Sequence, residues 1–250
     1  MIQLKTKEEI KVMKEGGAIL KRVVDEIIPW IEVGQSTLQI DQKAEELIKK
    51  YGGEPSFKSV PGYSWTTCIP VNEQAVHTPP SKRVLTDGDL VTIDIGVLYR
   101  EFHTDYAYSK LVGNNINPQK QKFLDIGRET LDKAIKMVHA GVHIGEFGEF
   151  IYNEITEHGY FILKELTGHG IGRKLHEDPY VLNFLDRPVQ KTYKIKPGFV
   201  FALEIIYSMG SEEIAYEQGN SWSIISRDKS LSACFEKTLA VTEEKTFILT

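Results

Sequence analysis

Near the start of the chain, apolar residues recur at intervals of three and four: Ile10, Met13, Gly17, Leu20, Val24 and Ile27. That spacing is one face of an amphipathic helix. Thr6-Lys-Glu-Glu9 reads as a capping box that opens it, and Pro29 ends or bends it. Ser36 or Thr37 caps a second helix with Ile40, Ala44, Leu47 and Ile48 turned inward, and Gly52-Gly53 stops it. The period then shortens to two, predicting strands over 66–71, 90–98 and 102–112. The second half repeats this order. Asn117-Pro118 starts a helix with proline at its first position, carrying Phe123, Ile126, Ala134 and Val138. A shorter helix over about 146–157 stops at Gly159, and strands fill the remainder. An offset of 107 residues carries Gly34 onto Gly141, Ile40 onto Phe147, Ile48 onto Ile155 and Gly52 onto Gly159. The pattern predicts a single α+β domain over 1–250, made of two related halves, about 1–112 and 113–250, with a site between them.

Composition narrows the class. At 250 residues the chain can bury a substantial core. Its 41% hydrophobic and 26% charged residues are ordinary for a globular protein. A net charge of −5, without a long basic run, does not suggest nucleic-acid binding. No stretch approaches the roughly 18 apolar residues that a membrane span needs. The first residues include Lys5, Lys7, Glu8 and Glu9 rather than a secretory apolar core. Two distant cysteines, Cys68 and Cys234, are too few for a disulfide framework, so a reduced cytoplasmic setting is expected.

The chemistry sits on the polar side of the alternating segments. In Asp89-Leu-Val-Thr-Ile-Asp-Ile-Gly96, Val91, Ile93 and Ile95 point one way and Thr92 and Asp94 the other. A hairpin then leads to Asp105. With Tyr99-Arg100 as its turn, Asp94 and Asp105 stand directly opposite, with Cβ atoms about 4.5–5.5 Å apart. Two carboxylates so placed repel, so the pair is either metal-bound or has one member protonated. Glu204 and Glu236 repeat the pattern on later strands, over 199–207 and 231–241. His169 lies in Thr167-Gly-His-Gly-Ile-Gly172, whose glycines allow tight turns. Any one acidic residue here reads equally well as the solvent face of a strand. Four carboxylates and an imidazole together form a hard, oxygen-rich set suited to two divalent ions.

At these residues the chain resembles the type I methionine aminopeptidases. The resemblance rests on Asp87-Gly-Asp-Leu-Val-Thr-Ile-Asp94, His103-Thr-Asp105, Gly168-His-Gly-Ile-Gly-Arg173 with His176-Glu-Asp-Pro179, and Ser230-Leu-Ser-Ala-Cys-Phe-Glu236. It runs from about residue 5 to the end. It implies a pita-bread fold, a dinuclear centre, and removal of the initiator methionine from nascent polypeptides whose next residue is small. By the same resemblance Asp105 and Glu236 bridge the two ions, Asp94 completes one, and His169 with Glu204 the other. Cobalt, manganese, iron and zinc all accept this set. Glu204 is also implied as acceptor of the water's proton. His77 and His176 are implied to hydrogen-bond the scissile amide and the tetrahedral oxyanion, although each alone reads as an ordinary loop histidine.

Tyr63, Cys68, Leu175 and Trp222 occupy the family's methionine-pocket positions, with Phe57 and Val60 near others. Asn72, Gln74 and Ser232 match loops that hold a monovalent cation through backbone oxygens. Partners implied are nascent polypeptide N-termini, met in a transient contact with the ribosome, and the enzyme is expected to be a monomer. His139, His143 and His158 receive no role. His103 receives none from the family pattern either, but it shares a strand face with Asp105 and so allows an extra metal contact.

The chain departs from the family at Ile205-Ile206, where proline usually follows the glutamate. It departs again at Ala202 for threonine and at Cys234 for glutamine; the change after Glu204 bears on the path of the backbone there. The 35 residues between His169 and Glu204 leave no room for the helical insertion of type II enzymes. Competing readings are a proline-directed peptidase of the same fold, a creatinase-type amidinohydrolase and a non-catalytic peptide-binding module.

Overall fold

The computed structural model describes residues 2–250. Four α-helices are formed among the described residues: α1 (Lys7–Trp30), α2 (Thr37–Lys50), α3 (Pro118–Met137) and α4 (Ile144–Glu157). Thr6 and Ser36 close capping boxes with Glu9 and Gln39. Asn117 caps α3 through its side-chain oxygen, with Pro118 at the first position. Helix α1 runs through Pro29 for one further residue. Helix α4 starts two residues earlier than its apolar pattern suggests, because Glu146 reaches back to the amide of His143 at 2.8 Å.

Thirteen strands are present among the described residues. In chain order they are β1 (Glu54–Pro55), β2 (Thr67–Cys68), β3 (Gln74–Val76), β4 (Leu90–Tyr99), β5 (Phe102–Leu111), β6 (Phe161–Ile162), β7 (Gly168–Gly170), β8 (Glu177–Val181), β9 (Val200–Ser208), β10 (Ile214–Tyr216), β11 (Ile224–Ser226), β12 (Ser232–Val241) and β13 (Thr246–Ile248). The main sheet is antiparallel and runs β1-β4-β5-β12-β9-β7-β8; β2, β6 and β13 pair onto β4, β9 and β12. A small second sheet runs β10-β11-β3. The centre of the large sheet is therefore the long hairpin of the first half laid edge to edge against the long strands of the second.

One face of the sheet takes the helices. Val91, Ile93, Ile95 and Val97 of β4 pack on Leu20, Ile27, Ile40 and Leu47 of α1 and α2. Leu203, Ile205 and Tyr207 of β9, with Phe235 of β12, pack on Phe123, Ala134, Phe147 and Ile151 of α3 and α4. The strict alternation of these strands leaves Asp94, Glu204 and Glu236 on the opposite face.

One expectation is corrected. The β4–β5 turn is Arg100-Glu101, not Tyr99-Arg100: both have positive φ, 46° and 69°, as a two-residue type I′ hairpin requires. Tyr99 stays in the ladder opposite Phe102. The register is consequently shifted, so that Asp94 faces Ala107 and Asp105 faces Gly96. The two aspartates are diagonal neighbours on one face. The backbone after Glu204 is also simple. Strand β9 continues through Ile205 and Ile206 to Ser208, with both isoleucines buried.

Helix α3 approaches β9 closely at Gly127. A Cβ there would lie 2.2 Å from the Tyr207 hydroxyl, which donates to the Phe123 carbonyl at 2.5 Å from a fully buried ring. Gly127→Ala is therefore expected to destabilise the protein by about 1–3 kcal/mol through overpacking, although alanine favours helix. A denaturant titration checks this, with a lower midpoint at unchanged slope as the expected result.

Candidate metal centre and active site

The register of the large sheet assembles the acidic residues. Reading across four strands, Asp94 of β4 faces Ala107 of β5, Ala107 faces Glu236 of β12, and Glu236 faces Glu204 of β9. Asp105 lies two residues before Ala107 on the same face. His169 of β7 faces Ala202, two residues before Glu204. Ala107 and Ala202 present only methyl groups on this face and leave volume between the longer side chains. The Asp105, His169 and Glu236 side chains offer ligand atoms all within 4.8 Å of one another. His169 Nε2 lies 3.8 Å from Glu204 Oε1.

Burial of this cluster fixes its electrostatics. Asp94 and Glu236 are pushed well above the ordinary carboxylate range, first by burial and then by the neighbouring carboxylates. Burial likewise raises Asp105 to about 7 and, with the charge of Asp105, Glu204 to about 8. His169 is driven down to about 3 by burial and then by nearby His176. Its proximity to Glu204 is therefore not an ion pair: a neutral imidazole with a free lone pair is what a metal needs. His169 Nδ1 meets the Gly170 carbonyl at 2.9 Å, which puts the proton on that nitrogen and leaves Nε2 as acceptor.

The donor set fits divalent cations. Glu236 Oε1 is buried without a hydrogen-bond partner, an arrangement that costs free energy unless a cation or proton fills the gap. Asp105 Oδ1 has a protein partner in the Tyr106 amide at 3.0 Å.

All five residues open into one cavity of about 440 Å³. Tyr63, Cys68, Leu175, Trp222, Phe57 and Val60 also line it, as does each of His77 and His176. Cys68 faces Asp94 across the β2–β4 pair. The Tyr63 hydroxyl donates to the Thr67 carbonyl at 2.8 Å and lies 3.1 Å from Cys68 Sγ. Its ring meets Trp222 edge-on at 5.1 Å. Burial pushes the Cys68 thiol well up, so it is a small apolar wall rather than a thiolate. His176 stands beside His169, ring centroids 4.4 Å apart. His77 follows β3 with φ +56°, a left-handed conformation, and lines the cavity. The residue is exposed, yet surrounding atoms and nearby His176 hold it toward the neutral form.

His103 does not line the cavity. Its Nδ1 is 2.6 Å from Ser56 Oγ in the core. Of Asn72, Gln74 and Ser232, two are joined directly: the Ser232 amide donates to the Asn72 carbonyl at 2.9 Å, and the Ser232 hydroxyl is buried without a partner.

Further lining residues escaped the sequence reading: Val76, Glu165, Leu166, Thr167, Tyr180 and Ile206. Ile206 was within reach, two residues beyond Glu204 on an alternating strand. Tyr180 enters by facing His169 across β7–β8, a pairing with no sequence signal.

The Metallopeptidase family M24 model matches residues 11–243. Methionine aminopeptidase 1 of Bacillus subtilis is 36% identical over 250 residues, spanning 100% of this chain and 99% of that protein. The crystal structure of methionine aminopeptidase from Thermotoga maritima superposes with a TM-score of 0.95 at 32% identity, covering 100% and 99% of the two chains. The prolidase from Pyrococcus furiosus superposes at 0.79 and 25% identity, covering 99% of this chain but 65% of the prolidase.

A carboxyl group whose folded pKa exceeds its unfolded value withdraws stability as pH rises toward the folded value. The buried histidines act oppositely, but only below their ordinary value of 6.5. Between 6.5 and the value near 8 of Glu204 the carboxylates dominate. The Tm of metal-free protein is therefore expected to fall across that interval. Metal loading at neutral pH should release protons, because ligation needs ionised carboxylates. Thermal scans with and without chelator, and proton release in weak buffer, check both; a metal-free Tm that climbs across the interval contradicts the assignment.

Proposed function

The chain belongs to metallopeptidase family M24, as a full-length relative of methionine aminopeptidases, and we propose that the buried carboxylate–histidine face is where it hydrolyses the bond after an N-terminal methionine. The observation that carries this reading is the row Asp94, Glu236 and Glu204, flanked by Asp105 and His169, opening directly into an apolar cavity. The enzyme is a metal-dependent aminopeptidase that removes initiator methionine.

Two divalent ions are proposed, held by Asp94, Asp105, His169, Glu204 and Glu236. Asp105 and Glu236 would hold the ions from the two central strands, β5 and β12. When bound, the ions supply Lewis acidity, bringing a water's pKa near neutrality and polarising the scissile carbonyl. The protein does the rest. Tyr63, Cys68, Leu175 and Trp222 enclose the methionine side chain, where a soft thioether packs well against rings and sulfur. His77 and His176, neutral at working pH, donate N–H groups to the scissile amide and to the oxygen that gains charge. Donors of this kind act because charge develops there only in the transition state. Glu204, ionised once the ions are held, accepts the water's proton and can return it to the departing amine.

The residue after methionine must pass between the helper histidines and the rim, so small side chains are admitted. The same reading puts nascent polypeptide N-termini, transiently at the ribosome in the cytoplasm, as partners. It also puts a monovalent cation at the backbone oxygens near Asn72, Gln74 and Ser232. No helix among the described residues is long and apolar enough to cross a membrane.

Metal-loaded protein should release methionine from Met-Ala and Met-Ser peptides and leave Met-Leu and Met-Arg peptides intact. His77→Ala and His176→Ala should retain metal while losing about 10²–10³ in kcat. Asp105→Asn should weaken metal binding itself. Mass spectrometry of the peptide panel, run beside metal titrations, tests all three. Faster release of alanine from Ala-Pro peptides than of methionine from Met-Ala peptides would overturn the reading in favour of a proline-directed enzyme.

A further inference from the structure

The segment 172–177 carries two site residues, Leu175 of the pocket wall and His176. It is short and polar, its exposed tip residue Arg173 pairs with Glu9 and Glu101 at 3.2 and 2.9 Å, and a further support lies beneath it. That support comes from the start of the chain. Lys5 forms a buried ion pair with Glu177, the residue next to His176; the two side chains are only 5% and 7% exposed. The Lys5 ammonium also donates to the Gln3 carbonyl at 3.0 Å. The second carboxylate oxygen of Glu177 accepts the Lys174 amide at 3.2 Å. The Lys5 backbone amide donates to the Gly198 carbonyl at 2.7 Å, just before β9. From the other side, the His103 amide donates to the Gly172 carbonyl at 2.8 Å, and the His103 ring is fixed by Ser56. Packing is so close that a Cβ at Gly172 would lie 2.3 Å from Lys5 Cε and 2.7 Å from Glu177 Oε1.

From this geometry we infer that Lys5 is a positioning residue for the reaction: its ion pair with Glu177 fixes the backbone of 172–177 and thereby the aim of His176. The inference rests on the reading of His176 as an oxyanion-side donor. Neither Lys5 nor Glu177 lines the cavity; each acts through the loop. The strand-like alternation from His176 to Glu177 sends the imidazole toward the cavity and the carboxylate away from it, so one charge behind the loop sets the placement of the donor in front. A buried pair is suited to this task because its two partners have few alternative positions, and misplacing a catalytic group by about 1 Å can cost on the order of 10² in rate.

The test compares wild type, Lys5→Met and Glu177→Gln, each metal-loaded, alone and combined with His176→Ala. Lys5→Met is expected to keep its metal, to lower kcat on Met-Ala-Ser by about tenfold or more, and to move KM by less than about threefold. Its amides at 172–177 should exchange with solvent faster, while those of β9 and β12 keep wild-type protection. On the His176→Ala background the same change should alter kcat by less than about twofold, because its route of action is gone. An unchanged kcat, an equal loss on both backgrounds, or faster exchange spread over the whole sheet would overturn the inference. Should Lys5→Met not fold, Glu177→Gln carries the same comparisons with its shape retained. Failure of the proposed function looks different: wild type itself then releases no methionine from Met-Ala-Ser, and the exchange pattern still decides whether Lys5 holds the loop.

Discussion

Mutual repulsion among four carboxylates governs this molecule. Asp94, Asp105, Glu204 and Glu236 are fixed on one face of a sheet whose other face is committed to the helices. They cannot turn away, because the period of two that buries Ile93, Ile95, Leu203 and Phe235 dictates where they point. Water in the cavity screens them only in part, for Asp105 and Glu236 are buried and Asp94 and Glu204 half-buried. Protons or cations must balance them, and the orphaned oxygen of Glu236 shows the demand at one atom. The neutral state of His169 follows from the same burial, and with it the availability of Nε2 as a donor to a cation.

The remaining site residues are arranged around that constraint. Small side chains at Ala107 and Ala202 keep the centre open. The β2 segment brings Cys68 opposite Asp94, so the pocket wall is built directly onto the ligand-bearing strand. The departures from the family pattern fall on both faces of the strands: Ile205 packs among the helices, and the others lie on the site face. Ile206 and Cys234 face each other in the β9–β12 ladder, and Ala202 faces Thr238. Each is an ordinary buried strand position.

Much of this was legible in the sequence, wherever local chemistry decides. The capping boxes at Thr6 and Ser36 and the Asn117-Pro118 start are short-range devices, and the helices begin where they indicate. Alternation in 90–98 located Asp94 on the right face. The hairpin register was not legible, because Arg100 and Glu101 are not residues that advertise a positive φ; only the ladder partners of Tyr99 and Phe102 select the turn. The start of α4 was hidden for a related reason, since His143 is an unusual N-cap. Tyr180 and the Lys5–Glu177 pair depend on contacts between distant segments, 172 residues apart in the latter case, about which periodicity is silent.

The central pairing of β5 with β12 has a bearing on how the protein comes into being. Asp94 and Asp105 leave the ribosome long before Glu204 and Glu236, and the first-half hairpin has nothing to shield its inner edge until β12 arrives. Contacts of such wide sequence separation form late. The early hairpin must therefore wait, with its aspartates solvated or protonated, as an incomplete half of the cluster. The complete carboxylate cluster, and with it a full cation site, exists only once β12 has paired with both β5 and β9.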